Sequence, residues 1–200
     1  MLLHLIGQCS CRMMYWLSTI PRRLPRVEAH LAMPEHVTIS RSIFAQTIGL
    51  SVSLALCFTA AGLGGLATSQ GLDSWYGTLH KPDWNPPNWI FAPVWTTLYC
   101  MMGIAAWLVW RSGSWSQVRS AVILFAIQLG LNSLWSLLFF GLQNPGAAFL
   151  EIVLLWAAIS VTTFLFWRNS ALAAMLMMPY LLWVSFASFL NYTIWTLNPV

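Results

Sequence analysis

Five apolar stretches leave this chain few ways to fold. They run at about 43–68, 90–110, 119–140, 146–167 and 171–196. Each holds roughly 20 residues or more, enough for a helix rising about 1.5 Å per residue to cross a hydrocarbon core of about 30 Å. In lipid a spanning segment must satisfy its own backbone, and among open-ended elements only the helix does so. The expected fold is therefore an all-α integral membrane protein, a bundle of five transmembrane helices with a long, structured first loop. Composition excludes the alternatives. Hydrophobic residues make up 58% of the chain and charged ones only 7%, too few to solvate a water-soluble surface and too apolar for a disordered chain. The net charge of +4 is spread thinly beside apolar runs, which excludes a nucleic-acid partner.

Three of the four links between spans are short and carry turn residues: Arg111-Ser-Gly-Ser, Gln143-Asn-Pro-Gly and Arg168-Asn-Ser. Short links make successive helices antiparallel neighbours. The first link, about 69–89, is different. It contains Trp75, Trp84 and Trp89 together with Pro82, Pro86 and Pro87. The prolines stiffen its backbone and the indoles need a surface to lie on, so it is expected to form a structured lid at one membrane interface.

Residues 1–42 stand apart from the transmembrane domain at 43–200. They carry five Arg, at 12, 22, 23, 26 and 41, against Glu28 and Glu35. This extension reads either as an amphipathic targeting segment or as an upstream extension with Met33 as the true start. Arg111, Arg119 and Arg168 fall on the same side as the N-terminal segment, and Lys81 on the other. The positive-inside rule then places the N-terminus in the cytoplasm and the Trp-rich link outside. Cys57 and Cys100 fall inside apolar runs as buried thiols. Cys9 and Cys11, with only His4 nearby, make too few ligands for a metal site, and no metal is expected.

The spans hold polar groups that lipid does not tolerate unpaired. Gln128 and Asn132 lie one helical turn apart on one face of the third span. Asn191 and Tyr192 fall late in the fifth. Such amides face the bundle interior and bond neighbouring helices or a ligand. Glu151 lies one turn inside the fourth span, close enough to its end to snorkel to the interface. Most of the 13 Trp sit at span ends or in links, as an interfacial aromatic belt requires. Trp135, Trp156 and Trp183 fall mid-span, and Trp95 about one turn inside the second span. These rings either fill the core or line a cavity for a flat apolar ligand. Ala60, Ala61, Gly64 and Gly65 form a close-packing face on the first helix, and Pro93 and Pro179 are expected to kink theirs.

Several runs taken together resemble the translocator protein family, the tryptophan-rich sensory proteins also called peripheral-type benzodiazepine receptors. They are Trp75-Tyr-Gly-Thr-Leu-His-Lys-Pro-Asp-Trp-Asn-Pro-Pro-Asn-Trp89, Pro93-Val-Trp-Thr-Thr-Leu-Tyr99, Leu131-Asn-Ser-Leu-Trp-Ser-Leu-Leu-Phe-Phe-Gly141 and Pro179-Tyr-Leu-Leu-Trp-Val-Ser-Phe-Ala187, followed by Leu190-Asn-Tyr192. The resemblance covers about 43–197, in order and at family spacing.

This resemblance implies a five-helix bundle, often a homodimer, with a pocket under the first loop that takes protoporphyrin IX or haem. No cofactor is required; the tetrapyrrole is the ligand. Trp84, Trp95, Tyr99, Asn132, Trp135, Phe139, Trp183, Ala187 and Leu190 are the implied ligand-binding residues. Lys81 is the implied contact for the porphyrin carboxylates. The implied role is that of a membrane receptor or carrier acting as a stress or tetrapyrrole-homeostasis sensor. One alternative is a light-dependent porphyrin-degrading enzyme, in which Trp95 and Trp183 become catalytic. Another is a lipid or sterol transporter. Tyr192 is followed by no Lys or Arg, whereas the sterol-recognition pattern of animal members requires one. This departure argues against cholesterol as the main ligand and for a bacterial-type member in the cell membrane.

Overall fold

The computed structural model describes residues 41–72 and 74–199. The targeting-or-extension reading of the N-terminal segment falls almost wholly outside the described residues. Five long helices appear at α1 (Ile43–Gly71), α3 (Asn88–Ser112), α4 (Trp115–Ser136), α5 (Pro145–Asn169) and α6 (Ala171–Leu197). A single-turn helix, α2 (Trp75–Thr78), lies in the first link. All five long helices are apolar and long enough to cross a membrane, counting α4 together with a π-helical turn at Leu137–Gly141 that extends it.

The helix boundaries follow from local chemistry. Ser42 caps α1 by accepting from the Ala45 N–H, and Ser170 caps α6 by accepting from the Ala173 N–H. Ser114 and Gln117 form a reciprocal capping box on α4. Asn144 accepts from the Ala147 N–H, and Pro145 opens α5 at a position where its missing N–H costs nothing. Gln143, at φ 51°, is the one described residue other than glycine in the left-handed region, which lets the chain reverse tightly into that cap.

Packing closes the spans into a ring in which α1 touches α3, α3 touches α6, α6 touches α5, α5 touches α4, and α4 returns to α1. Successive spans alternate in direction, so a ring of five must contain one parallel pair, which is α1 with α4. Small residues mediate that contact. Ser133 on α4 donates to the Ala60 carbonyl at 3.2 Å, and a Cβ on Gly64 would sit 3.1 Å from Ser136 Oγ. On the other side of α1, Gly103 lets α3 approach so closely that a Cβ would meet Leu54 Cδ2 at 2.7 Å and its Cα at 3.3 Å.

Inside the ring, α3, α4 and α6 are joined by a chain of side-chain hydrogen bonds. The Tyr99 hydroxyl donates to Asn132 Oδ1. Asn132 Nδ2 donates to the Tyr180 hydroxyl at 3.0 Å, and that hydroxyl donates to Gln128 Oε1 at 3.0 Å. A second set ties α4, α5 and α6: Trp135 Nε1 donates to Asn191 Oδ1 at 3.0 Å, and Asn191 Nδ2 to the Pro145 carbonyl at 2.8 Å. The mid-span amides thus bond neighbouring helices.

Two expectations require correction. Glu151 does not snorkel: it is 6% exposed, and neither carboxyl oxygen has a hydrogen-bond partner among the described residues. Its position turns it toward the bundle, where the side chain is too short to reach back to water. Trp156, although mid-span, neither fills the core nor lines a cavity. It is 42% exposed on the outer face, with Nε1 donating to Ser185 Oγ at 2.8 Å. That bond supplies the indole's one polar need without burial.

Two measurements check this account. Asn132→Leu orphans the Tyr99 hydroxyl and removes a donor to Tyr180, so it is expected to destabilise the bundle by about 1–3 kcal/mol. Thermal unfolding in detergent should show a larger drop than for Tyr99→Phe, which leaves only an acceptor unpaired. Glu151→Leu removes a buried carboxyl that has no partner among the described residues, and is expected to raise the unfolding temperature; a fall would reveal a partner for the carboxyl.

Candidate functional site

A cavity of about 400 Å³ opens inside the half of the bundle that faces the first link, within the range of sites that take drug-sized ligands. It exists because small and large residues face each other. On α1 the wall is thin at its middle, where Ala61, Gly64 and Gly65 lie between Phe58 and Thr68, and a Cβ added at Gly65 would meet nothing within 4 Å. Facing this wall are indoles from three helices: Trp95 of α3, Trp135 of α4 and Trp183 of α6. All three are half-buried, the state expected for rings with one face on protein and one on open space.

Each indole is held by its neighbours. Trp95 packs against Tyr99 at 5.7 Å between centroids and edge-on to Tyr180 at 6.2 Å. Both tyrosines are anchored through Asn132, so the hydrogen-bond chain of the core also positions Trp95. Trp135 stacks on Phe139 at 5.3 Å, with an interplanar angle of 23°, while its Nε1 is engaged by Asn191. Trp183 meets Phe91 edge-on at 6.1 Å and Phe186 at 5.5 Å. A rotamer change at any one ring would therefore break contacts made by several others.

The π-helical turn is what brings Phe139 and Phe140 together. Leu142 N–H bonds to the Leu137 carbonyl at 2.7 Å, five residues back, so the backbone widens there. The two rings, 4.9 Å apart between centroids, line the end of the cavity beneath the first link. Gly71 ends α1 against this turn, and a Cβ there would lie 2.6 Å from the Phe140 carbonyl oxygen. Any side chain at 71 would push the lid away from the cavity.

The first link forms a lid with its own internal bonds. The Tyr76 hydroxyl donates to Asn85 Oδ1 at 2.7 Å, and burial pushes the phenol pKa up, which keeps that donor protonated. Tyr76 also packs on Phe140 at 5.7 Å and lines the cavity roof. Lys81 Nζ donates to the carbonyls of Tyr76 at 2.6 Å and Leu79 at 3.2 Å.

Of the residues singled out from sequence, Trp95, Tyr99, Asn132, Trp135, Phe139, Trp183, Ala187 and Leu190 all line this one cavity. Trp84 and Lys81 do not. Trp84 is 44% exposed and stacks on Phe189 at 5.3 Å, with its ring edge-on to Phe186 at 5.9 Å. It stands one ring removed from the cavity. The Lys81 ammonium is turned into the lid's carbonyls. Sequence reasoning passed over Phe91, Tyr76 and Phe186, although Phe91 precedes Trp95 by one helical turn and Phe186 follows Trp183 by one. It also treated Gly64 and Gly65 only as a packing face. No group of three or more potential metal ligands occurs among the described residues.

Comparison with known proteins agrees with the architecture. Residues 53–196 match the model of the TspO/MBR family. Over 156 residues the chain is 48% identical to the tryptophan-rich protein TspO of Chlorobaculum tepidum, covering 77% of this chain and 98% of that one. It is 37% identical over 149 residues to the tryptophan-rich sensory protein of Cereibacter sphaeroides, covering 73% and 92%. It is 41% identical over 126 residues to the human translocator protein, covering 62% and 75%. Such relationships support a membrane receptor or sensor role, and the bacterial relatives point to the cell membrane. The five spans, the lid and the Trp-walled cavity are thus features of an integral membrane protein that belongs to the TspO/MBR family.

Proposed function

We propose that this protein binds tetrapyrroles, protoporphyrin IX or haem, in the cavity beneath the lid and serves as a membrane receptor or sensor of them. The observation that carries this reading is the convergence of Trp95, Trp135 and Trp183 from three helices on one largely apolar cavity. A porphyrin is a flat π-system with carboxylates along one edge. Indole and phenyl rings complement its faces, and the thin α1 wall leaves room for its width. The carboxylates belong at the lid end. There Asn88 lines the cavity and opens α3, and the first backbone N–H groups of a helix favour negative charge. Lys81 lies in the lid outside the cavity lining, and would meet a carboxylate only by leaving the Tyr76 and Leu79 carbonyls.

Two sets of variants test this. Saturable quenching of Trp emission by protoporphyrin IX, in the dark and in detergent, is expected for the unaltered chain. Trp95→Ala and Trp183→Ala should each weaken binding roughly five- to thirty-fold, the loss of about 1–2 kcal/mol of ring contact. Trp156→Phe, on the outer face, should leave it unchanged. Absence of saturable quenching sinks the tetrapyrrole reading and brings lipid or sterol handling forward.

Ala187→Trp fills the cavity beside Trp183 and should abolish porphyrin binding while the helical circular dichroism stays intact. Illumination separates binding from catalysis. Porphyrin loss under light, absent in the Trp95→Phe/Trp183→Phe double variant that still binds, would mark a degrading enzyme; stable porphyrin supports the receptor reading.

A further inference from the structure

One side chain at the end of the last helix reaches back to the lid's backbone. Asn198, the residue that ends α6, accepts from the His80 backbone N–H through Oδ1 at 2.9 Å. Its Nδ2 donates to the His80 carbonyl, also at 2.9 Å. The carboxamide thus pairs with both backbone groups of one lid residue across 118 positions of sequence, as a neighbouring strand would. The same Nδ2 also donates to the Ile194 carbonyl at 2.8 Å, which ties the amide to the last turn of its own helix. Both N–H groups and the carbonyl oxygen of Asn198 are then engaged, and the side chain has one orientation.

The rest of the lid explains why this one contact matters. Lid residues are held mainly to each other: Tyr76 to Asn85, Lys81 to the carbonyls of Tyr76 and Leu79, and the Asn85 N–H to the Pro82 carbonyl at 2.9 Å. These bonds brace the segment internally between Gly71 and Pro86-Pro87. On the α1 side it rests on the buried rings Phe139 and Phe140. On the α6 side Trp84 stacks on Phe189 and meets Phe186 edge-on, Leu79 packs into the cluster that holds Leu190 and Ile194, and Asn198 supplies the polar fastening, the paired bonds to His80. His80 is exposed and Asn198 only partly buried, so water competes for those bonds, and hydrogen bonds open to water are individually weak and quickly remade. Of the contacts along this edge, the polar pair open to water is more easily broken and remade than the aromatic contacts of Trp84.

We infer that the paired hydrogen bonds between Asn198 and the His80 backbone are a latch that sets how fast ligand enters and leaves the cavity under the lid. The inference rests on the tetrapyrrole reading for the identity of the ligand, but not for the existence of the latch. Asn198 lines no part of the cavity, so it acts as a positioning residue. Breaking the latch should raise the association and dissociation rates together and leave their ratio nearly unchanged. A residue that touched the ligand would shift the ratio.

The test uses the full chain in lipid nanodiscs, with Asn198→Ala, Asn198→Asp and, as control, Thr196→Ala. Asn198→Asp keeps the acceptor for the His80 N–H and loses the donors. The control removes another bond in the last turn of α6, from Thr196 Oγ1 to the Thr193 carbonyl, without touching the lid. Two readouts are taken: stopped-flow association and dissociation of protoporphyrin IX, and hydrogen exchange of the lid amides over residues 74–85. For Asn198→Ala both rates should rise roughly tenfold, about the effect of losing one or two ordinary hydrogen bonds, and lid exchange should accelerate. Asn198→Asp should fall between, and the control should match the unaltered chain. Faster lid exchange with unchanged porphyrin rates overturns the inference, because ligand then passes elsewhere. So does unchanged exchange, because Asn198 is then no fastening. If the unaltered chain binds no protoporphyrin, the tetrapyrrole reading fails, and the exchange readout alone decides whether the latch stands.

Discussion

In lipid no hydrophobic force draws one helix to another, so a bundle is held by close packing and by polar groups that find partners across helices. Here the decisive group is the Asn132 carboxamide. It accepts from Tyr99 and donates to Tyr180, which in turn donates to Gln128. Three helices are thereby pinned at one depth. The same two phenols form the backing of Trp95, so the bonds that stabilise the bundle also stiffen the wall of its cavity. Asn191 does the equivalent for Trp135, holding the indole N–H from α6 while bonding to the start of α5. A cavity in a membrane protein tends to collapse onto itself, and these two amides fix the rings that keep this one open.

The topology decides where the cavity lies. An odd ring of alternating helices has one parallel contact, and here α1 meets α4 through small residues. In the half away from the lid α1 is clamped to α3 by Gly103 and by Ser53, whose hydroxyl donates to the Gly103 carbonyl at 2.7 Å. Trp107 Nε1 donating to the Gln46 carbonyl at 3.0 Å closes that end further. In the half beneath the lid α1 presents Ala61, Gly64 and Gly65 instead, and the helices cannot fill the space between. The π-helical turn then supplies Phe139 and Phe140 as the end wall, and the lid closes the roof with Tyr76. Pro93 and Pro179 lie within helices that continue through them.

Much of this was legible in the residues themselves. Span length and apolarity specified five helices, because the backbone has no other open-ended way to cross lipid. The limits of the apolar runs and the turn residues between them placed the helix ends within a few residues. The mid-span amides needed partners, since an unpaired amide in hydrocarbon is costly wherever it lies; Asn132 and Asn191 are engaged through both ends, whereas Gln128 is engaged through Oε1 and its Nε2 has no partner among the described residues. Most candidate ligand-binding residues came from the family resemblance, and eight of them share one cavity; depth alone marked Trp95, Trp135 and Trp183, but equally Trp156, which faces outward. The exceptions are Trp84 and Lys81, which lie in the lid. A loop has no periodicity from which side-chain direction can be read, and both turn toward the lid's own neighbours.

What the sequence alone determined is therefore the number of spans, their alternation and the presence of mid-span amides that needed partners across helices. Only the tertiary structure decided which direction each helix faced. Rotation about a helix axis depends on the packing of its neighbours, and apolar residues all round the helix leave it unmarked in the sequence. That is why Trp156 turned out to face outward and Glu151 inward, and why Trp95, Trp135 and Trp183 meet across one cavity. It is also why the lid is tied to Asn198, a pairing between the first link and the last helix that no local pattern announces.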